Sequence, residues 1–208
     1  FNELFWEPFG NPNLENELSY NFYVKNEFIS TYGKLDVNFH YIKFKNLISW
    51  RPVAGSNAYW RPENISIANS FGSDLSFQSN SIKGISISLS ASYLKTENYD
   101  KVLSEIHLGK KLLYTPLYTS IIKIQKEFKN LIFYISTKFV SDRIYRYNWP
   151  SDNILPQYYH ANFGAKVYLF NSEYYTIYSL FNCENFLNNQ YQSVHGFPVP
   201  GRSYSFTI

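Results

Sequence analysis

The sequence has 208 residues, of which 20 Tyr, 18 Phe and 4 Trp make 20%, while charged residues make only 17%, against roughly 25% in soluble domains. A formal net charge of +3, with the basic residues scattered rather than clustered, excludes nucleic acid as the expected partner. The single cysteine, Cys183, excludes an internal disulfide and a paired-cysteine metal site.

Period-two alternation predicts about nine strands in chain order. Around 17–28, Leu18, Tyr20, Phe22 and Val24 oppose Ser19, Asn21, Tyr23 and Lys25. Around 33–47, Leu35, Val37, Phe39 and Tyr41 oppose Lys34, Asp36, Asn38 and His40. A weaker strand over 66–79 sets Leu75 and Phe77 against Asp74, Ser76 and Gln78. The strictest case is 84–94, where Ile85, Ile87, Leu89, Ala91 and Tyr93 alternate with Gly84 and four serines. Strands around 117–127, 130–142, 158–170 and 173–184 follow, and the last run sets Tyr204, Phe206 and Ile208 against Ser203, Ser205 and Thr207. Alternation this regular gives each strand two faces for two different surroundings.

No stretch reaches the ~18 consecutive apolar residues of a membrane helix, but a β-barrel crosses with tilted strands of about 9–11 residues. Most of the predicted strands have that length. The connections alternate between short ones, near 30–34, 79–82, 127–130 and 170–173, and long ones, near 48–65, 96–115, 143–157 and 187–201. An up-and-down barrel of the outer-membrane type has this asymmetry. A Greek-key sandwich gives no reason for it. Trp6, Trp50, Trp60 and Trp149 all fall in or beside the long-connection side, where half-wet indole rings suit a membrane interface. The fold class expected is therefore all-β, an antiparallel up-and-down transmembrane β-barrel segment. The first residue is Phe1, and no signal peptide is present, so the chain is expected to be a piece of a longer one.

Several stretches resemble, in order, the C-terminal part of a TonB-dependent receptor of the cobalamin and siderophore type. They are "FNELFW" with "GNPNLENELSYNF", "YIKFKNLISW", "YWRPENI" with "FGSDLSF", "LLYTPLYT", and "NCENFLNNQYQSVHGFPVPGRSYSF". Cys183-Glu184-Asn185 and Phe197 depart from the family pattern. The resemblance implies that residues 1–208 are about nine C-terminal strands of a twenty-two-strand barrel, with plug and N-terminal strands absent. It implies active uptake of a scarce metal complex, such as cobalamin or a ferric siderophore, through the outer membrane. It also implies outer-membrane lipid around the barrel and a TonB-type energy-coupling protein reached through the missing N-terminal part.

The candidate substrate contacts lie in two expected outer loops, Trp50, Arg51, Tyr59, Trp60 and Arg61 in one, Tyr145, Arg146, Tyr147 and Trp149 in the other. Aromatic rings with guanidinium groups stack on and ion-pair with planar or anionic ligands. The same residues would equally suit an interface girdle with loop packing. His40, His107, His160 and His195 read as solvated wall or loop residues, since no catalytic spacing surrounds them. Glu97 and Asp100 fall short of a calcium cage. No cofactor, metal or enzymatic activity is expected. A passive diffusion porin shares the alternation, and a soluble or surface adhesion or carbohydrate-binding module would bury the apolar faces instead. "FPVP" at 197–200 is expected to form the rigid lip of the last loop and to extend no ladder, since proline removes the N–H donor.

Overall fold

A computed structural model describes residues 2–53, 59–99, 111–147 and 151–208. A short helix, α1 (Asn2–Phe5), precedes thirteen strands. They are β1 (Leu18–Ser30), β2 (Gly33–Pro52), β3 (Trp60–Ser79), β4 (Ile85–Asn98), β5 (Tyr118–Phe128), β6 (Leu131–Val140), β7 (Arg143–Arg146), β8 (Asn153–Leu155), β9 (Tyr158–Asn171), β10 (Thr176–Glu184), β11 (Gln192–Val194), β12 (Phe197–Pro198) and β13 (Ser203–Thr207). Nine of them form one sheet, ordered β1-β2-β3-β4-β5-β6-β9-β10-β13. β7-β8 and β11-β12 are separate two-stranded ribbons. The nine predicted strands are the nine of the sheet, and β1 and β13 are its edges.

The alternation fixes the register from β4 onward, where each pair is antiparallel. One cross-strand row runs Ile87, Ile124, Ile135, Phe163, Cys183, Tyr204. The next residue along, on the opposite face, begins a polar row: Ser86, Gln125, Tyr134, Gly164, Asn182, Ser205. A one-residue slip of any of these strands would turn its apolar set onto the polar face, so the register is held by the pattern itself. Most of the apolar row is open, since Ile124 and Ile135 are each 42% exposed and Tyr204 is 63% exposed, while Cys183 in the same row is buried at 1%. A soluble sandwich would bury these side chains.

The chain forms two compact units. The first holds Phe1–Tyr23, His40–Phe71 and Lys95–Leu112. Here polar side chains strap the "GNPNLENE" segment to strand backbone. Asn11 Nδ2 donates to the Pro62 carbonyl at 3.0 Å. Asn64 Oδ1 accepts from the Glu15 amide at 2.8 Å, and its Nδ2 donates to the Asn46 carbonyl at 2.7 Å. Glu17 Oε1 accepts the Ile48 amide at 2.6 Å.

The second unit holds Val24–Phe39, Gly72–Leu94 and Leu113–Ile208. Between β10 and β13 its organising residue is Asn185, 1% exposed with φ of 48°. Asn and Gly adopt that left-handed conformation most readily. The Asn185 amide group donates to the carbonyl of Asn189 at 3.0 Å and accepts the Asn189 N–H at 3.0 Å. The Asn185 backbone N–H is accepted by Asn162 Oδ1 at 2.9 Å. Asn188 Oδ1 then accepts the Arg202 amide at 3.0 Å, at the threshold of β13. On the polar face, Tyr134 lies across Gly164 and hydrogen-bonds to Asn182, two strands away. A Cβ at Gly164 would sit 2.5 Å from the Tyr134 hydroxyl and 2.7 Å from the Phe181 carbonyl.

Three expectations are corrected. The long connection 48–65 is mostly strand, because β2 continues to Pro52 and β3 starts at Trp60, joined by a Val53 N–H to Tyr59 carbonyl bond of 2.9 Å. The long connections 143–157 and 187–201 carry ribbons of their own. "FPVP" does join a ladder: Phe197 and Pro198 pair with Val194 and Gln192, and the Val199 N–H donates to the Tyr191 carbonyl at 3.1 Å. Each proline removes one donor but keeps its carbonyl, and Val199 between the two prolines supplies the N–H.

Candidate substrate-facing site

In the first unit the aromatic residues near the long connection pack on the segment that follows α1. Trp50 meets Trp6 edge-on at 5.9 Å, and Trp6 meets Phe9 at 5.7 Å. Phe9 and Tyr59 stack with centroids 5.9 Å apart. Arg61 Nη2 donates to Asn11 Oδ1 at 3.4 Å. Trp6 and Tyr59 remain more than half exposed, so the cluster presents ring faces and an exposed guanidinium beside each other. Trp50, Trp60 and Arg61 therefore stand on strand ends rather than on a free loop, and Trp60 is half-buried. The Arg51 side chain lies outside the described residues.

The second unit has its own cluster, built from the β7–β8 ribbon, the first residues of β9 and the β11 ribbon. Arg143 is 5% exposed. Its guanidinium lies 5.0 Å from the centroid of the Tyr158 ring and donates to the carbonyls of Ser193 at 3.3 Å and Gln192 at 3.2 Å. Tyr158 stacks on Tyr191 at 3.9 Å, and the Tyr191 hydroxyl is hydrogen-bonded to His160 Nδ1 at 2.8 Å. Tyr145 stacks on His195 at 4.1 Å and accepts from Asn153 Nδ2 at 3.0 Å. Burial pushes the phenols of Tyr114 and Tyr191 up from the ordinary tyrosine range, the first in spite of a hydrogen bond to the His195 backbone. They are neutral hydroxyls at physiological pH.

Of the residues singled out in the sequence, Trp50, Tyr59 and Arg61 thus join one cluster, and Tyr145 joins the other. Arg146 is exposed at the end of β7 and Tyr147 follows it, while Trp149 lies outside the described residues. Sequence reasoning missed Trp6, Phe9, Arg143, Tyr158, Tyr191 and His195 as site members. Val140 pairs with Tyr158, so Arg143 and Tyr158 flank one hairpin and are neighbours by antiparallel geometry. That signal was available. Tyr191 and His195 arrive through the fold of the last ribbon, which no local pattern announces. His160 was expected as a solvated wall residue and is instead bonded to Tyr191, and His195 is capped by Tyr145. His107 and Asp100 lie outside the described residues, and Glu97 is ion-paired to Lys95 at 2.7 Å.

Several polar-face charges find partners within the sheet. Lys34 pairs with Glu27 at 2.6 Å and Asp36 at 3.4 Å. Asp74 accepts from Ser92 at 2.7 Å. Lys123 lies over Tyr134, and Lys166 over Tyr168 and Tyr178. Among the described residues no group of three or more His, Cys, Asp or Glu could hold a metal ion. The arrangement offers stacking, hydrogen bonding and cationic attraction.

No protein-family model matches the sequence, and no curated protein matches it. Solved structures do match. The chain superposes on the ferric enterobactin receptor PfeA of Pseudomonas aeruginosa with a TM-score of 0.69 and 16% identity, covering 94% of this chain and 31% of that one. For the copper transporter OprC the TM-score is 0.73 and the identity 13%, over 93% and 31%. For the siderophore receptor PirA of Acinetobacter baumannii they are 0.68 and 16%, over 94% and 32%. The chain thus spans about a third of the length of these structures. At such identities the likeness is one of fold, and the fold it shows is the antiparallel β-barrel of TonB-dependent siderophore and metal receptors.

Proposed function

We propose that residues 1–208 are the C-terminal portion of the barrel of an outer-membrane TonB-dependent active transporter that takes up a scarce metal complex. The observation that carries this reading is the pair of cross-strand rows in the sheet, one apolar and exposed, one polar. In a bilayer the apolar row faces hydrocarbon at no cost, while the backbone is satisfied between strands. The polar row then lines the passage. The likeness to a ferric enterobactin receptor, a siderophore receptor and a copper transporter supports the transporter class and favours a ferric siderophore or a related chelate over cobalamin. On this reading, the aromatic and arginine clusters at the outer ends of the strands capture the complex. A TonB-type partner supplies the energy through an N-terminal part outside this sequence.

The test uses the complete gene. Cells carrying it should accumulate a radiolabelled ferric siderophore, and accumulation should stop when the proton motive force is collapsed. Uptake that continues after collapse would favour a passive porin, and a monodisperse protein in detergent-free buffer would favour the soluble module. Replacing Trp50, Tyr59 and Arg61 together by alanine should raise the concentration for half-maximal uptake at least tenfold, with unchanged protein in the outer membrane. Unchanged uptake would leave these residues with packing alone.

A further inference from the structure

In the first unit, a recess of about 290 Å³ opens between Tyr41 of β2, Asn69 and Phe71 of β3, Lys95 and Glu97 of β4, and Tyr99 just beyond β4. All six positions are odd-numbered, and on these strands the odd positions carry the apolar face: Val37 and Phe39 on β2, Leu75 and Phe77 on β3, Ile87 and Leu89 on β4. Along β4 that face is apolar from Ile85 to Tyr93 and then turns charged at Lys95. At ~3.3 Å per residue and a tilt of about 35–45°, the apolar run rises about 20 Å along the membrane normal, most of the ~25 Å apolar band of an outer-membrane barrel. The recess therefore lies on the outward side, just past the hydrocarbon, at the depth of lipid headgroups.

Its chemistry selects among headgroups. Lys95 Nζ is 2.7 Å from Glu97 Oε1, and the Tyr99 hydroxyl bonds to Glu97 Oε2. The cation is thus neutralised by its neighbour, and a phosphate would meet a carboxylate beside it. Lys95 and the tyrosine hydroxyls give the recess donors, and Asn69 and Glu97 give it acceptors. Asn69, which lines the recess, has an Oδ1 that is shut from solvent with no hydrogen-bond partner. Glu97 is a second acceptor. Tyr41, Phe71 and Tyr99 supply apolar ring surface. A polyhydroxylated ring offers hydroxyl donors at its rim and C–H groups on its faces. The volume, just under the ~300 Å³ where drug-sized sites begin, admits one such ring.

We propose that this recess binds a single hexose or hexosamine ring, from the sugar headgroup of an outer-leaflet glycolipid or from a free saccharide. The glycolipid source rests on the reading of the apolar face as lipid-facing, and the chemistry of the recess does not. The full-length protein in detergent is titrated with three probes: an acylated glucosamine-disaccharide lipid, free glucosamine, and the sugar-free phosphatidylglycerol. Binding of either sugar probe, weakened tenfold or more by Asn69→Leu and by Glu97→Gln with unchanged trypsin resistance, is the expected result. A glycolipid bound at least tenfold more tightly than free glucosamine identifies the headgroup, and equal affinities identify a free saccharide. Phosphatidylglycerol binding as tightly as the glycolipid, no sugar binding, or sugar binding that both variants retain would overturn the proposal. Metal-complex uptake measured on the same variants should be unchanged. Sugar binding without any uptake would therefore sink the transporter reading alone, and uptake without sugar binding would sink the recess alone.

Discussion

Arg143 shows how one residue can hold an outer ribbon in place. It is buried, it covers a tyrosine ring, and it bonds two consecutive carbonyls of β11. Hydrogen bonds from a charged donor contribute about 1.5–3 kcal/mol each when intact. Arg143→Ala should therefore free the 192–200 segment. Limited proteolysis is expected to cut there first, with the sheet strands still protected. Arg143→Lys keeps the charge but loses the planar fork that reaches both carbonyls, and should give an intermediate cleavage rate. Equal protection in wild type and both variants would show that the ribbon is held by its own strand pairing. In the sequence Arg143 is only the first residue of a loop; its partners lie 49 and 50 positions along the chain, and nothing local marks them.

At the level of the strand, the polar face of β9 is built around a missing side chain. Gly164 leaves the gap through which Tyr134 of β6 reaches Asn182 of β10. The Phe181 carbonyl crowding the same point belongs to the sheet backbone and cannot swing aside. Gly164→Ala should therefore displace the tyrosine, at a cost in the ~1–3 kcal/mol range of overpacked sites. This would be read as a lowered urea midpoint for loss of the folded band on unheated gels. A midpoint equal to that of the wild type would mean that β9 and β10 can part without loss. The alternation of β9 was legible in the sequence, and so was the placement of Gly164 opposite its apolar residues. The reason for glycine there was not, because Tyr134 and Asn182 come from other strands. The same limit applies to the long connections, where β2 and β3 outrun their alternating cores and pair up to Pro52 and Trp60.

At the level of the whole molecule, the sheet among the described residues has two unpaired edges, β1 and β13, and all thirteen residues of β1 are exposed. Edge N–H and C=O groups left bare in hydrocarbon cost several kcal/mol each. Residues 1–208 expressed alone should therefore fail to form a protease-resistant, heat-modifiable species in liposomes. Formation of such a species by the isolated segment would show that β1 and β13 can close on each other or on a second copy.

The sequence alone carries the nine strands of the sheet, their order, their two faces and the alternation of short and long connections. These follow from a period of two and from turn chemistry, which act within a few residues of each other. It also marked Trp50, Tyr59, Arg61 and Tyr145 as residues with binding chemistry. Which of them meet, and on what, is set by the folded chain: Trp50 on Trp6, Tyr59 on Phe9, Tyr145 on His195. It alone turned "FPVP" from a bare lip into half of a ribbon, and drew Asn185 and Asn188 of "NCENFLNN" into the joint that seats the last strand. Those outcomes depend on register and on contacts between residues far apart in the chain, and a local pattern carries no record of them.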